Sequence, residues 1–359
     1  MNRREFITTG LAAATLPPMT GFGQEAASET ADQRIRIGFL GGSHSHGLGK
    51  AKVCLESPET WNIIGIVEES DEVRANYEKL GIKALDEEEL LATADVIAVE
   101  SDPRDHYKHG KLVLESNKHL HLEKPPTMTL EEFQELVAIA TSKKLIVQMG
   151  YMWRYNPGIN AALKAAREGW LGKIYLVKAE INKLQSADAR VINNSFPGGT
   201  MFELGCHVLD PVVRLLGRPN KVDTYLKTSG AFTDGIKDNT VAVLDYPDAT
   251  AIIGSSILHS AGGRHRHLHI YGTNGTALVK PLDRPVLELE LTKDAGPYKK
   301  GLQTVEFPPF RRYVGDFVEL AEVIKAKKGL SITPEMDLVV HETLLRACEV
   351  GGTKANSGQ

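Results

Sequence analysis

The sequence predicts an α/β protein. A doubly wound parallel sheet fills the N-terminal half, and an α+β region with a large, mainly antiparallel sheet follows. Three observations carry this. Between residues 34 and 151, short β-branched runs alternate with helical stretches, the pattern of strands joined by crossover helices. Beyond residue 151, strand-like runs follow one another, separated by Gly, Asn and Asp turns. The first run, RIRIGFL, ends in a glycine-rich loop, GFLGGSHSHG at 38–47, that opens a helical stretch.

In order, GKAKVCLES reads as a helix and WNIIGIVEES as a second strand ending in acids. SDEVRANYEKLG is a helix with Ser70 as N-cap and Gly81 as its stop. ADVIAVES is a buried strand, RDHYKHGKLVLESN a helix, and HLHLEKPP a short strand broken by two prolines. In TLEEFQELVAIATSKK, Leu130, Phe133, Leu136 and Val137 recur at helical spacing, and LIVQMGY closes the region. GKIYLVKAEI, KVDTYLKTSG, NTVAVLDYPD, TAIIGSSILH, RHLHIYGTNG and VLELELTK then read as strands. YVGDFVELAEVIKAKKG and TPEMDLVVHETLLRACEV read as the last helices. The expected organisation is a signal and linker over 1–33, a dinucleotide-binding domain over 34–151, and a substrate and oligomerisation domain over 152–359. The last helices are free to return to the first domain.

With 359 residues there is room for two cores. A net charge of −4 and the lack of a basic block argue against a nucleic-acid partner. Cys54, Cys206 and Cys348 are too few and scattered for a disulfide framework or a Cys-rich zinc site, and read as buried small hydrophobes. NRREFI at 2–7 is a twin-arginine pattern, followed by the weakly apolar TTGLAAATLPPM. It predicts export of a folded protein to the periplasm or beyond, with no membrane association once the signal is removed. A plain basic N-terminus is the alternative.

The glycine loop admits three readings: an altered dinucleotide loop, a metal site built from His44 and His46, or a tight turn. Gly41 suits the turn after the strand. Ser43 stands where a glycine lets backbone approach a pyrophosphate, and its hydroxyl can donate to phosphate. His46 replaces the helix-packing glycine, a role open to Gly47 one residue later. Gly41, Gly42, Ser43 and His44 are assigned to the cofactor, and no metal ligand is assigned. Glu68 lies roughly 20 residues or more beyond the loop, where an acid accepts from the ribose hydroxyls and repels a 2′-phosphate. That favours NAD over NADP; a solvated acid pair with Glu69 is the alternative. Lys124 follows a buried strand at the sheet's carboxyl edge, with Glu123 placed to anchor it. If Thr200 begins a helix, Glu203, His207 and Asp210 share one face. There a carboxylate sets the tautomer of a general-base imidazole, and Pro211 kinks the helix.

These motifs resemble the glucose–fructose oxidoreductase, inositol dehydrogenase and rhizopine-catabolism (Gfo/Idh/MocA) family. The resemblance runs from about Arg34 to about Gly351. It is carried by Gly38–Gly42, Glu68, SDPRDH at 101–106, EKPP at 123–126, RYNP at 154–157, GGTMFELGCHVLDPVVRLLG at 198–217 and IYGTNGT at 270–276. The resemblance implies a Rossmann-like first domain binding NAD, with Asp102, His106, Glu123 and Arg154 on the cofactor side. It implies that Lys124 contacts nicotinamide and substrate, that Glu203 and His207 form the catalytic pair, and that Arg154 and Asn156 line the nicotinamide pocket; Asn156 and Asp210 are also expected on the substrate side. Glutamate at 203 stands where the family usually has aspartate. A homo-oligomer through the C-terminal sheet is also implied.

His265, His267 and His269 are expected on one strand face, as a polar face rather than a metal site. The function expected is NAD-dependent oxidation of a sugar or polyol hydroxyl, with the cofactor tightly held because an exported enzyme meets no soluble NAD pool. Two alternatives stay open. One is redox-neutral glycoside cleavage by transient oxidation and elimination. The other is a non-redox carbohydrate- or metal-binding protein on a Rossmann scaffold.

Overall fold

The computed structural model describes residues 33–191, 196–326 and 328–350. The twin-arginine segment and its linker lie outside the described residues. β1 (Ile35–Leu40), β2 (Trp61–Val67), β3 (Val96–Val99), β4 (His119–Leu122) and β5 (Val147–Met149) form a parallel sheet in the order β2-β1-β3-β4-β5. The chain leaves β1 in one direction to reach β2 and crosses back to β3 on the other side. The carboxyl ends of β1 and β3 therefore flank the switch point where open α/β sheets bind ligands. Four helices join β1 through β4: α1 (Gly47–Leu55), α2 (Asp71–Glu78), α3 (Glu87–Thr93) and α4 (His106–Glu115). Ser70 caps α2 by accepting from the Val73 amide at 3.3 Å. Between β4 and β5, Thr129 and Glu132 close a capping box at the start of α5 (Leu130–Lys143).

α3 is not among the expected elements. Three acids hide its pattern, yet Asp86 caps it at the Glu89 amide and Leu90 anchors it in the core. A 3₁₀ turn at Met152–Tyr155 and α6 (Pro157–Arg167) also intervene before the second sheet. Asn156 caps α6 and Pro157 opens it.

The second sheet contains β6 (Ile174–Asn182), β7 (Lys221–Lys227), β8 (Asn239–Asp245), β9 (Thr250–Ser256), β10 (His267–Gly272), β11 (Gly275–Val279), β12 (Val286–Leu291) and β13 (Gly301–Glu306). Its order is β13-β12-β11-β10-β6-β9-β8-β7, antiparallel except for the β6–β9 pair. Between its strands lie α7 (Ala187–Val191), α8 (Cys206–Leu216) and α9 (Gly262–His265). α9 corrects one expectation: His265 ends a short helix, and only His267 and His269 share the β10 face. Gly262 opens this helix against β6, where a Cβ would collide with the Asn182 carbonyl.

α10 (Val314–Ala326) returns to the first sheet, where Phe317, Leu320 and Ala321 share a core with Ile35, Ile37, Phe39 and Trp61. α11 (Pro334–Ala347) packs on α5 and α8, and its Val340, Leu344 and Leu345 join the core common to both sheets. Among the described residues, no helix is long and apolar enough to cross a membrane.

Candidate active site

Strands β2, β3 and β4 each deliver a charged residue at the carboxyl end. β1 leads into the glycine loop. Gly41 sits at φ +72°, and a Cβ there would lie 2.6 Å from that of Ser101. A Cβ at Gly47 would collide with the Tyr77 hydroxyl, so Gly47 does carry the close packing that begins α1. Glu68 follows β2 and turns back on the loop: its carboxylate accepts from the Gly42 amide at 2.6 Å and the Ser70 amide at 2.9 Å. Ser43 and Ser45 are exposed, and their amides have no protein partner among the described bonds.

β3 ends at Glu100, and β4 at Glu123 and Lys124. Lys50, on α1, is fully buried and bridges the two acids, donating to Glu100 Oε1 at 2.7 Å and to Glu123 Oε2. Burial pushes Glu100 up to about 8. Burial also opposes ionisation of Glu123, but Lys50 and the neighbouring imidazoles hold it well below the usual carboxylate range. The other Glu123 oxygen, Oε1, lies 3.0 Å from His46 Nδ1 and 3.8 Å from His44 Nδ1.

Lys124 crosses to the second half of the molecule. Its ammonium donates to Glu203 Oε1 at 2.9 Å and to the Glu203 carbonyl at 3.0 Å. Burial works against the cation, but the Glu203 carboxylate keeps its pKa above the usual lysine value. Burial likewise opposes the Glu203 charge, and Lys124 more than offsets it. His44 completes the group, with Nε2 3.8 Å from Glu203 Oε1. Burial drives His44 down to about 4, so its ring is neutral at pH 7.

Residues 200–210 do not form the single α-helical face expected. Met201–Gly205 is a π turn, which widens the spiral before α8 begins. Glu203 is thereby turned to Lys124. His207 packs instead among Trp153, Tyr151 and His46, with ring centroids 5.6, 6.4 and 5.7 Å away. No carboxylate hydrogen-bonds its ring. Nδ1 of His207 is buried without a partner, and burial followed by the nearby Lys124 pushes its pKa well below 6.5. The irregularity thus ends six residues before Pro211, which lies inside α8.

Asp210 points elsewhere. It accepts from Arg154 Nη2 at 2.7 Å and Nε at 3.0 Å and from Arg214 at 3.2 Å, while Arg154 also bonds Asp337. Asn156 spends its side chain on the α6 cap and on the Leu282 carbonyl at 2.7 Å. His106 is buried between the carbonyls of Pro125 and Ser101 at 2.8 and 3.1 Å, and Asp102 pairs with Arg104 at 2.7 Å. The structure therefore brings together His44, Glu123, Lys124, Glu203 and His207, with Gly41, Gly42, Ser43 and Glu68 beside them. Arg154, Asn156 and Asp210 belong to the packing behind the site. Sequence reasoning missed Lys50 and Glu100. Glu100 had a signal, an acid at a strand's carboxyl end; Lys50 had none.

Fold and site define an oxidoreductase class: a dinucleotide-type parallel sheet whose ligand edge meets charged residues from a second, mainly antiparallel domain. Residues 35–151 match the oxidoreductase family with an NAD-binding Rossmann fold, and residues 159–278 match the GFO/IDH/MocA C-terminal domain. The chain belongs to the Gfo/Idh/MocA family of oxidoreductases. It is 26% identical over 307 residues to the uncharacterized oxidoreductase YhhX of Escherichia coli (strain K12), covering 82% of this chain and 85% of that one. To the scyllo-inositol 2-dehydrogenase (NADP(+)) IolW of Bacillus subtilis (strain 168) it is 25% identical, covering 69% and 70%. The solved UDP-N-acetylglucosamine 3-dehydrogenase GnnA from Acidithiobacillus ferrooxidans shares the fold, with a TM-score of 0.74 at 19% identity over 87% of this chain and 96% of that one.

Proposed function

We propose that the chain is an NAD-dependent oxidoreductase acting on a hydroxyl of a sugar or polyol. The observation that carries this reading is the Lys124–Glu203 ion pair at the ligand edge of the sheet, beside the buried, unpartnered Nδ1 of His207. Relatives named as inositol and xylose dehydrogenases support the substrate class.

The loop fits a dinucleotide. The unpartnered Ser43 and Ser45 amides supply the donors that a pyrophosphate needs ahead of a helix N-terminus. Glu68 places a carboxylate beside Gly42, which favours NAD over a 2′-phosphorylated cofactor. A bound nicotinamide supplies the hydride acceptor. Lys124 then holds the substrate oxygen and stabilises negative charge on it. His207, neutral because it is buried, offers a lone pair for the hydroxyl proton. Glu203 keeps Lys124 charged and aimed.

The twin-arginine pattern supports export of the folded chain. The outer face of the second sheet supports pairing with a second copy: His269 stacks on Tyr271 at 3.8 Å, Lys178 lies over the same ring, and Tyr225 is 57% exposed. Elution at twice the chain mass on a calibrated column checks that pairing, and elution as a monomer contradicts it.

Purified full chain, supplied with NAD or NADP and a panel of sugars, polyols and aryl glycosides, tests the function. The expected result is a ketosugar with NADH, lost in Lys124→Ala. Release of the aryl alcohol without net NADH replaces this reading with redox-neutral cleavage. No cofactor binding overturns it.

A further inference from the structure

The glycine loop carries more than a dinucleotide site requires. His44 and His46 stand on it two residues apart, and Glu123 reaches them from the end of β4. One ligand atom from each lies within 4.8 Å of the others, the only such group among the described residues. Their side chains are 7%, 11% and 0% exposed. A second observation points to a ligand: Nε2 of His44 is buried and has no partner. A third concerns what lies opposite it, because Glu203 Oε1, 3.8 Å from that nitrogen, brings another carboxylate within reach.

We propose that His44, His46 and Glu123 bind a divalent transition-metal ion of the zinc type. Two imidazoles and one carboxylate are the donor set of open, three-ligand zinc sites, which keep a fourth position for water or a substrate oxygen. A neutral imidazole offers one lone pair to such an ion. Lys50 engages the Oε2 atom of Glu123 and leaves Oε1 facing the histidines, the role of an outer-shell partner that orients a ligand. The loop then has two functions. Its amides at Ser43 and Ser45 serve the pyrophosphate, while its imidazoles turn inward to the ion, on the side of the Lys124–Glu203 pair. Soft, thiolate-preferring ions are disfavoured, because Cys206, the nearest thiol to this pair, donates to the Glu203 carbonyl at 3.3 Å and burial raises its pKa.

The site is independent of the redox reading and is tested separately. Full chain is stripped with a chelator, freed of it, and titrated with Co²⁺ while visible d–d absorption is followed. NADH binding is measured on the same samples by fluorescence. The expected result is one equivalent of Co²⁺ with low-symmetry bands, displaced by Zn²⁺. His44→Asn and His46→Asn each weaken binding by about tenfold or more, with unchanged circular dichroism. His265→Ala combined with His267→Ala leaves it unchanged, which excludes the surface histidines near His259. The proposal is overturned if the wild-type chain takes up no stoichiometric Co²⁺, if the loop variants bind it undiminished, or if binding follows the surface pair. A chain that binds NADH but no Co²⁺ overturns the metal site alone. One that binds Co²⁺ but neither NADH nor NADPH overturns the dehydrogenase reading alone.

Discussion

Two of the buried ionic clusters among the described residues are built differently. Behind the site, Arg154 joins Asp210 and Asp337, and Arg214 adds a second guanidinium to Asp210. This cluster ties the 3₁₀ turn at Met152–Tyr155 to α8 and α11. Both of its acids are paired with arginine, and Arg154 bonds them with two of its nitrogens. At the ligand edge, Lys50, Lys124, Glu100, Glu123 and Glu203 are equally buried or nearly so, but the atoms do not balance. His44 Nε2, His207 Nδ1 and Glu100 Oε2 are left without partners. A buried unsatisfied polar atom costs about 1–3 kcal/mol. In the first cluster the carboxylates all meet guanidinium groups and Arg214 Nε alone is left over, so its role is structural. The other holds atoms that only a ligand, a proton or an ion would satisfy.

The largest effect that sharpens this contrast is on turnover. His207→Ala should lower kcat by about 10²–10⁴-fold while NADH still binds, because the proton acceptor is gone and the loop is intact. Steady-state kinetics with a cofactor titration measure this; full activity would remove His207 from the chemistry. Glu203→Gln should cost less, since Lys124 keeps a hydrogen-bond acceptor but loses its counter-charge. A dead Glu203→Gln beside an active His207→Ala would make the glutamate the proton carrier.

The arginine cluster should answer in stability. Arg154→Met leaves Asp210 and Asp337 buried without their shared cation and should cost about 3–5 kcal/mol in denaturant unfolding. NADH affinity per folded molecule should be unchanged. A variant of normal stability would break the contrast.

Asp316, buried on α10 with both carboxylate oxygens unpartnered, gives a pH test. Burial, opposed by Lys50 and Arg154 and aided by Glu123, pushes it up to about 7. Its folded-state pKa lies above the unfolded value, so the folded chain binds the extra proton between pH of about 4 and 7. Its contribution to stability is therefore present below that window and declines as pH rises through it. Asp316→Asn should flatten that part of the stability–pH curve; an unchanged slope contradicts the assignment. Thr129→Ala, which opens the α5 capping box without touching an ion pair, should cost only about 1 kcal/mol. A thermal melt checks this.

Much of the ligand edge was legible in sequence because it rests on local rules. A β-branched run, a glycine turn and an acid at the next strand's end place Gly41, Ser43 and Glu68 without tertiary knowledge. EKPP places Lys124 by the same logic. What was not legible depended on which charges find each other in the interior. A lysine in GKAKVCL reads as a solvated helix residue, and only the Glu100 and Glu123 carboxylates brought in by β3 and β4 make burying Lys50 tolerable. The spacing of Glu203, His207 and Asp210 was read with an α-helical period. The π turn at Met201–Gly205 breaks that period and sends the three side chains to Lys124, to the Trp153–Tyr151 pocket and to Arg154. Arg154 and Asn156 were read as pocket residues from resemblance, whereas a cap and an ion pair already occupy their polar atoms.

The central claim is that the altered loop, with Ser43 in place of a glycine, still cradles a nicotinamide dinucleotide beside Lys124 and His207. NADH fluorescence titration of the full chain and of Ser43→Trp tests it most directly. The account predicts saturable binding at one equivalent in the wild-type chain, abolished by the bulky indole at the pyrophosphate position and retained by His207→Ala. Absence of saturable binding in the wild-type chain, or undiminished binding in Ser43→Trp, would contradict it.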